Sequence, residues 1–282
     1  MRERLTKFEW KHFFKELYEK FFETEISSAS AQVAFYFSFA FFPLLLFLVS
    51  LLGLVLDSTD QLRAELYQYL AQIMPFSAYQ LVRTTMDEII ETSSGSKLTL
   101  GLLVTLWSAS AGVDSLRSAL NNVYELLETR SWWWTKLQSL ILTLLFIMLL
   151  GVALVGVTSG WGLVKASLGG LGLQVDSVWI VSLIQWGSIV VVMVLATAVI
   201  YSWLPCFKKF HWVWISPGSI TAIIVWIVIG AGFRVYLQYF NSYNKAYGSL
   251  GAVIILMLWM YITGLALLLG GAINSVLTEM TE

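Results

Sequence analysis

Leu144-Leu145-Phe146-Ile147-Met148-Leu149-Leu150 and Ile189-Val190-Val191-Val192-Met193-Val194-Leu195 are unbroken apolar runs without a charge. Each sits in a longer apolar block, at 137–160 and 178–204. A helix needs about 20 apolar residues to cross the hydrocarbon core of a bilayer. A spanning β-barrel shows short alternating segments instead, and these runs do not alternate. Helices are the remaining way to satisfy every backbone N–H and C=O in lipid. Four further blocks of the same kind lie at 32–56, 98–120, 212–235 and 247–277. The chain therefore reads as all-α, a polytopic membrane bundle with six transmembrane helices.

Composition agrees. Of 282 residues, 58% are hydrophobic and 12% charged, with a mean hydropathy of +0.75. A soluble domain carries about twice that charged fraction. The organisation expected is an N-terminal amphipathic helix in 1–28, a six-span membrane domain over 29–277 and a short tail at 278–282. Thirteen Trp are present, many at block ends, including Trp132, Trp133, Trp134, Trp203, Trp212 and Trp214. Their amphipathic rings suit the headgroup level.

Lys and Arg are unevenly distributed. Eleven flank one side of the blocks: Arg2, Arg4, Lys7, Lys11, Lys15, Lys20, Arg117, Arg130, Lys136, Lys208 and Lys209. Five flank the other: Arg63, Arg83, Lys97, Lys165 and Lys245. The bias predicts a multi-pass protein with both termini in the cytoplasm. In the first segment Leu5, Phe8, Phe13, Leu17 and Phe21 recur at helical spacing, with Lys7, Lys11 and Lys15 on another face. Such a helix lies in the headgroup plane, with membrane lipids as partner. The stretch 58–97 is too polar to span and holds two helical patterns split by Pro75, which predicts a small helical extracytoplasmic cap.

Block two carries the chemistry. It reads Leu106-Trp107-Ser108-Ala109-Ser110-Ala111-Gly112-Val113-Asp114-Ser115-Leu116-Arg117. Asp114 and Arg117 are three apart and share a helix face. Charges inside a span are expensive and face protein or water. The pair is either a site for a cation, proton or anion, or a self-neutralising couple. Ser108 and Ser110 extend the polar stripe. Tyr36 in block one and Arg234 at the end of block five are further candidates for substrate or ion contact. Pro43 in the middle of block one predicts a kink, and Gly248 and Gly251 at the start of block six are candidates for gating.

Several function classes are excluded by what is missing. His12 and His211 are the only histidines, and there is no HExxH, GxSxG or Walker motif. One cysteine, Cys206, leaves no disulfide or cysteine metal cluster. Net charge is −1, with no basic field for nucleic acid. The expectation is a protein that is not an enzyme and needs no cofactor or metal.

Several blocks together resemble the YihY/BrkB family of bacterial inner-membrane proteins. They are Ala34-Phe35-Tyr36 through Phe42-Pro43-Leu44, Leu106-Trp107-Ser108-Ala109-Ser110 with Leu120-Asn121 and Tyr124, Leu204-Pro205 with Trp212 and Pro217-Gly218, and Tyr247-Gly248-Ser249-Leu250-Gly251 with Leu258-Trp259 and Asn274. The likeness covers about residues 10–277. It implies six spans with cytoplasmic termini, and envelope functions that include transport of lipid-like or small solutes. An old ribonuclease BN label attached to such proteins finds no nuclease metal cluster or RNA groove in this sequence. The expectation is a secondary transporter or exporter of a lipid-like or small polar solute of unknown identity, with a non-transporting envelope scaffold as the alternative.

Overall fold

The computed structural model describes residues 9–55, 96–158, 178–209, 212–239 and 249–281, with isolated positions between 64 and 84. Most of the expected cap at 58–97, and Gly248, fall outside the described residues. The described chain forms seven helices and no strand: α1 (Trp10–Glu23), α2 (Ile26–Val55), α3 (Ser96–Val123), α4 (Trp132–Thr158), α5 (Val178–Trp203), α6 (Pro217–Tyr239) and α7 (Ser249–Glu279). Helices α2 to α7 correspond to the six apolar blocks. Among the described residues, four have stretches long and apolar enough to cross a membrane: Trp132–Ala153, Trp186–Trp203, Pro217–Tyr236 and Val253–Glu279.

Block edges in the sequence and helix edges differ where capping decides. Block five begins at 212, yet α6 begins at Pro217. Ser216 sits at its N-cap and accepts from the Ser219 N–H at 3.0 Å, while Ser219 Oγ accepts from the Ser216 N–H at 2.8 Å. Proline is preorganised for the first helical position and has no N–H to leave unpaired. Helix α2 continues through Pro43 as one 30-residue element.

Helix α7 is central. It packs against α1, α2, α3 and α6. Of its span 44% is buried, against 22% for α6, which marks α6 as a peripheral helix facing mostly outward. Helix α4 joins α3 to α5. Among the described residues, close packing is seen at the end where α1, the α3–α4 and α5–α6 connections and the last turns of α7 meet. This basal end holds the fully buried Ile26, Leu116, Leu120, Leu204 and Leu268.

Two features make the basal packing close. Gly218 on α6 and Gly270 on α7 meet backbone to backbone, and an added Cβ at either would strike the other's carbonyl oxygen. Small residues allow such approach between membrane helices. Asn274 then bridges the same helices, accepting from the Gly218 N–H at 2.8 Å and donating to Ser216 Oγ at 2.9 Å.

Helix α1 has three faces. Phe13 is buried, Leu17 and Phe21 pack against the core, and Lys20 is 5% exposed. Trp10, Phe14, Tyr18 and Phe22 form an outward ladder at i, i+4 spacing, each 59–66% exposed. Lys11, His12 and Lys15 occupy the exposed remainder. The sequence reading gave the Phe13–Leu17–Phe21 face to the membrane; it is held by the bundle, and the aromatic ladder beside it faces outward.

Candidate functional site

Helices α3 and α4 face each other with polar rails. Ser110, Asp114 and Arg117 lie at i, i+4, i+7 on α3, and Lys136, Ser139 and Thr143 at i, i+3, i+7 on α4. Asp114 takes donors from both. Arg117 Nη2 donates at 2.8 Å, Lys136 Nζ at 3.0 Å, and the Ser139 hydroxyl donates to the same Oδ1 as Arg117. Lys136 also donates to Ser110 Oγ at 2.6 Å and lies 4.5 Å from the Trp107 ring centroid. Arg117 adds the Thr135 carbonyl at 2.9 Å and Ser139 Oγ at 2.6 Å. The side chains of Lys136 and Arg117 are 10% and 11% exposed, and that of Asp114 27%.

Below this cluster the α3–α4 connection carries a second one. Glu128 grips Arg130 with both oxygens at 2.7 Å and accepts from Asn121 Nδ2 at 3.0 Å. Arg130 donates onward to Gln138 at 2.8 Å and to the Leu204 carbonyl at 3.0 Å, at the end of α5. The Arg130 guanidinium, helped by the Arg130 N–H, holds the Glu128 carboxyl down at about 2. A folded-state value depressed from 4.5 contributes stability that is present above 4.5 and is lost as pH falls through about 2. Glu128→Gln is therefore expected to lower the melting temperature of the purified protein at neutral pH, by an amount equivalent to about 1 kcal/mol, because Glu128 is partly solvated. The gap between the two proteins should close as pH falls from about 4.5 toward 2. A gap that does not change with pH would mean that the ion pair adds nothing.

A third contact closes the base. Lys20 Nζ donates to Ser275 Oγ at 2.9 Å and to the Glu279 carboxylate, and lies 3.2 Å from Glu125 Oε1. Glu125 adopts a left-handed backbone with φ 53° just past α3. That conformation favours glycine locally. A glutamate there supplies the carboxylate that reaches Lys20. Asn122 Nδ2 donates to the Thr24 carbonyl at 2.9 Å and fastens the end of α1 to α3.

Above the basal end the bundle forms a half-open cavity of about 250 Å³. It lies near the middle of the helices. Phe37, Phe41, Ala109, Gly112, Phe146 and Met260 are among its walls, drawn with others from α2, α3, α4, α5 and α7. Thr143 is its one hydroxyl, and that hydroxyl donates to the Ser139 carbonyl at 2.7 Å. The Tyr201 hydroxyl on α5, donating to the Leu267 carbonyl on α7 at 2.8 Å, ties the floor.

Of the residues marked in the sequence, Asp114, Arg117 and Ser110 are brought together. Tyr36 is 38% exposed and edge-on to Phe35 at 5.5 Å. Ser108 and Arg234 occupy exposed positions on α3 and α6, and Gly251 is buried near the start of α7. None of these lines the cavity. Lys136, Ser139, Glu128, Arg130 and Lys20 were not singled out as site residues. Lys20, Arg130 and Lys136 entered the sequence reading only as flanking positive charges. The long-range partners of all five are invisible to local spacing.

Residues 17–282 match the family described as Virulence factor BrkB. The chain is 33% identical over 267 residues to the ribonuclease-like protein YfkH of Bacillus subtilis (strain 168), covering 94% of each. Shorter matches run to UPF0761 membrane proteins. One of Xanthomonas oryzae pv. oryzae (strain PXO99A) is 41% identical over 59 residues, 21% of this chain and 14% of that one. One of Vibrio cholerae serotype O1 (strain M66-2) is 36% identical over 72 residues, 26% of this chain and 24% of that one. No solved structure matches. The chain belongs to the BrkB family and is a membrane protein.

Proposed function

We propose that this BrkB-family protein is a secondary transporter or exporter of the bacterial inner membrane, in a state closed at its basal end. The observation that carries this reading is the mid-bundle cavity walled by five helices. A bundle built only to scaffold gains nothing from a void, because unfilled volume forfeits packing contacts. Positive-side counting puts the basal end in the cytoplasm. Asp114, Arg117 and Ser110 then act with Lys136 as part of the closure, which has to part for the cavity to open there. Tyr36, Ser108 and Arg234, at exposed positions, are assigned to lipid or head-group contact. The aromatic ladder of α1 rides in the headgroup layer and ties the closure to the membrane surface. In this reading the substrate is moved unchanged, and the protein is not an enzyme.

The test is flux in proteoliposomes with a pH gradient. A fluorescent phospholipid analogue and a radiolabelled organic anion are followed in parallel. Protein-dependent movement of at least one probe is expected, together with a loss of about tenfold or more on Ala109→Phe, which fills the cavity from α3. If neither probe moves faster than in empty vesicles, transport falls and the scaffold reading takes its place.

A further inference from the structure

The cavity itself discriminates between the two substrate classes that the sequence leaves open. We infer that it holds the hydrocarbon chain of an amphiphile, and that the substrate is lipid-like. This rests on the reading of the cavity as the transport site.

The walls are the first ground. Among the described residues they are apolar except for Thr143, and the Thr143 proton is already committed to the Ser139 carbonyl. A polar solute entering there loses its hydration and meets no donor. A hydrocarbon chain loses nothing, since it leaves one apolar medium for another. What it gains is contact: the empty volume leaves wall atoms without neighbours, and a chain supplies them.

Size and surroundings are the second ground. An apolar cavity of about 150 Å³ already stays dry and takes up benzene, and this one is about 250 Å³. The phenylalanines and Met260 give it adaptable walls, suited to a flexible chain rather than to one rigid shape. Among the described residues the charged cluster lies toward the base, with Lys136 two turns along α4 from Thr143 and Asp114 and Arg117 on α3 beside the wall residues Val113 and Leu116. Arg117 and Lys136 hold Asp114 and present nothing to the void. The polar part of the amphiphile therefore stays outside the cavity.

The experiment uses the full chain in nanodiscs without any gradient. A phospholipid carrying a photoactivatable diazirine at the end of one acyl chain is the probe, and a fatty acid carrying the same group forms a second arm. Labelled peptides are mapped by mass spectrometry. Labelling of peptides containing Phe37, Phe41 or Phe146 is expected, in addition to lipid-facing peptides such as that around Val190 and Val191. Ala109→Phe and Ala196→Phe should each reduce cavity labelling about tenfold and leave the Val190–Val191 label unchanged. Either variant suffices if the other fails to fold. Comparison of the arms tells a membrane phospholipid from a free fatty acid. Labelling confined to lipid-facing positions, or cavity labelling indifferent to both variants, overturns the inference. Cavity labelling without flux would remove the transport reading and keep the chain site. Flux without cavity labelling would do the reverse.

Discussion

Asp114→Ala is expected to destabilise the bundle by about 3 kcal/mol, because it removes the carboxylate shared by two nearly buried cations and leaves Arg117 with Glu128 at 3.6 Å. Removing one partner of a buried ion pair costs about 3–5 kcal/mol, most of it from the charge left behind. Here the lower end applies, since Asp114 is 27% exposed. Arg117 keeps the Thr135 carbonyl, and Lys136 keeps Ser110 and the Trp107 ring. A cation over an aromatic face recovers about 0.5–2 kcal/mol. The informative comparison is with Lys136→Met, alone and combined with Asp114→Ala. Unfolding of the four proteins in one detergent, followed by tryptophan fluorescence, gives the coupling. The double variant should be no less stable than Asp114→Ala alone, with a coupling of about 1–3 kcal/mol. Strict additivity would show that the two side chains do not sense each other. A separate readout addresses proton coupling: if Asp114 carried the driving proton, Asp114→Asn would abolish pH-driven flux in the protein that still folds.

Gly218→Ala is expected to be worse. The new methyl would overlap the Gly270 carbonyl and the Asn274 side chain. The obstacle includes backbone, which cannot rotate aside. Helix α6 would have to move off α7, breaking the Asn274 bonds to Gly218 and Ser216 together. Overpacking a tight core costs about 1–3 kcal/mol, and two lost buried hydrogen bonds add about 1 kcal/mol each. Failure to recover monodisperse protein from the membrane is the expected result. Gly230→Ala on the same helix is the control, because nothing lies within 4 Å of its added Cβ. Equal recovery of both variants would mean that the α6–α7 crossing tolerates separation.

The helical architecture was legible because lipid imposes one rule on all backbones, and runs such as Leu144–Leu150 obey it openly. The Asp114–Arg117 pair was legible because three residues on a helix is a fixed geometry. Lys136 was not. Its partner lies on another helix, and near a span end a lysine that flanks the membrane and one that enters the protein look alike. The same holds for Lys20, whose partners Ser275 and Glu279 sit at the far end of the chain. The cavity had no sequence signal, since Phe146 reads the same whether it faces lipid, protein or empty space. On α1 two apolar stripes lie side by side, and periodicity could not say which one the bundle would claim. Packing chose Phe13, Leu17 and Phe21, and left the aromatic ladder outside.

The Lys20 socket also has a consequence in time. A ribosome releases Lys20 ahead of Ser275 by 255 residues and ahead of Glu279 by 259, so α1 meets these partners only after α2 to α6 have emerged. Until then, of the contacts described at the base, Glu125 on Lys20 and Asn122 on the Thr24 carbonyl are the ones that can hold α1. Helices α2 to α6 are therefore threaded before the base can be fastened. Closure of the base waits for α7, whose last turns carry the residues that hold Lys20.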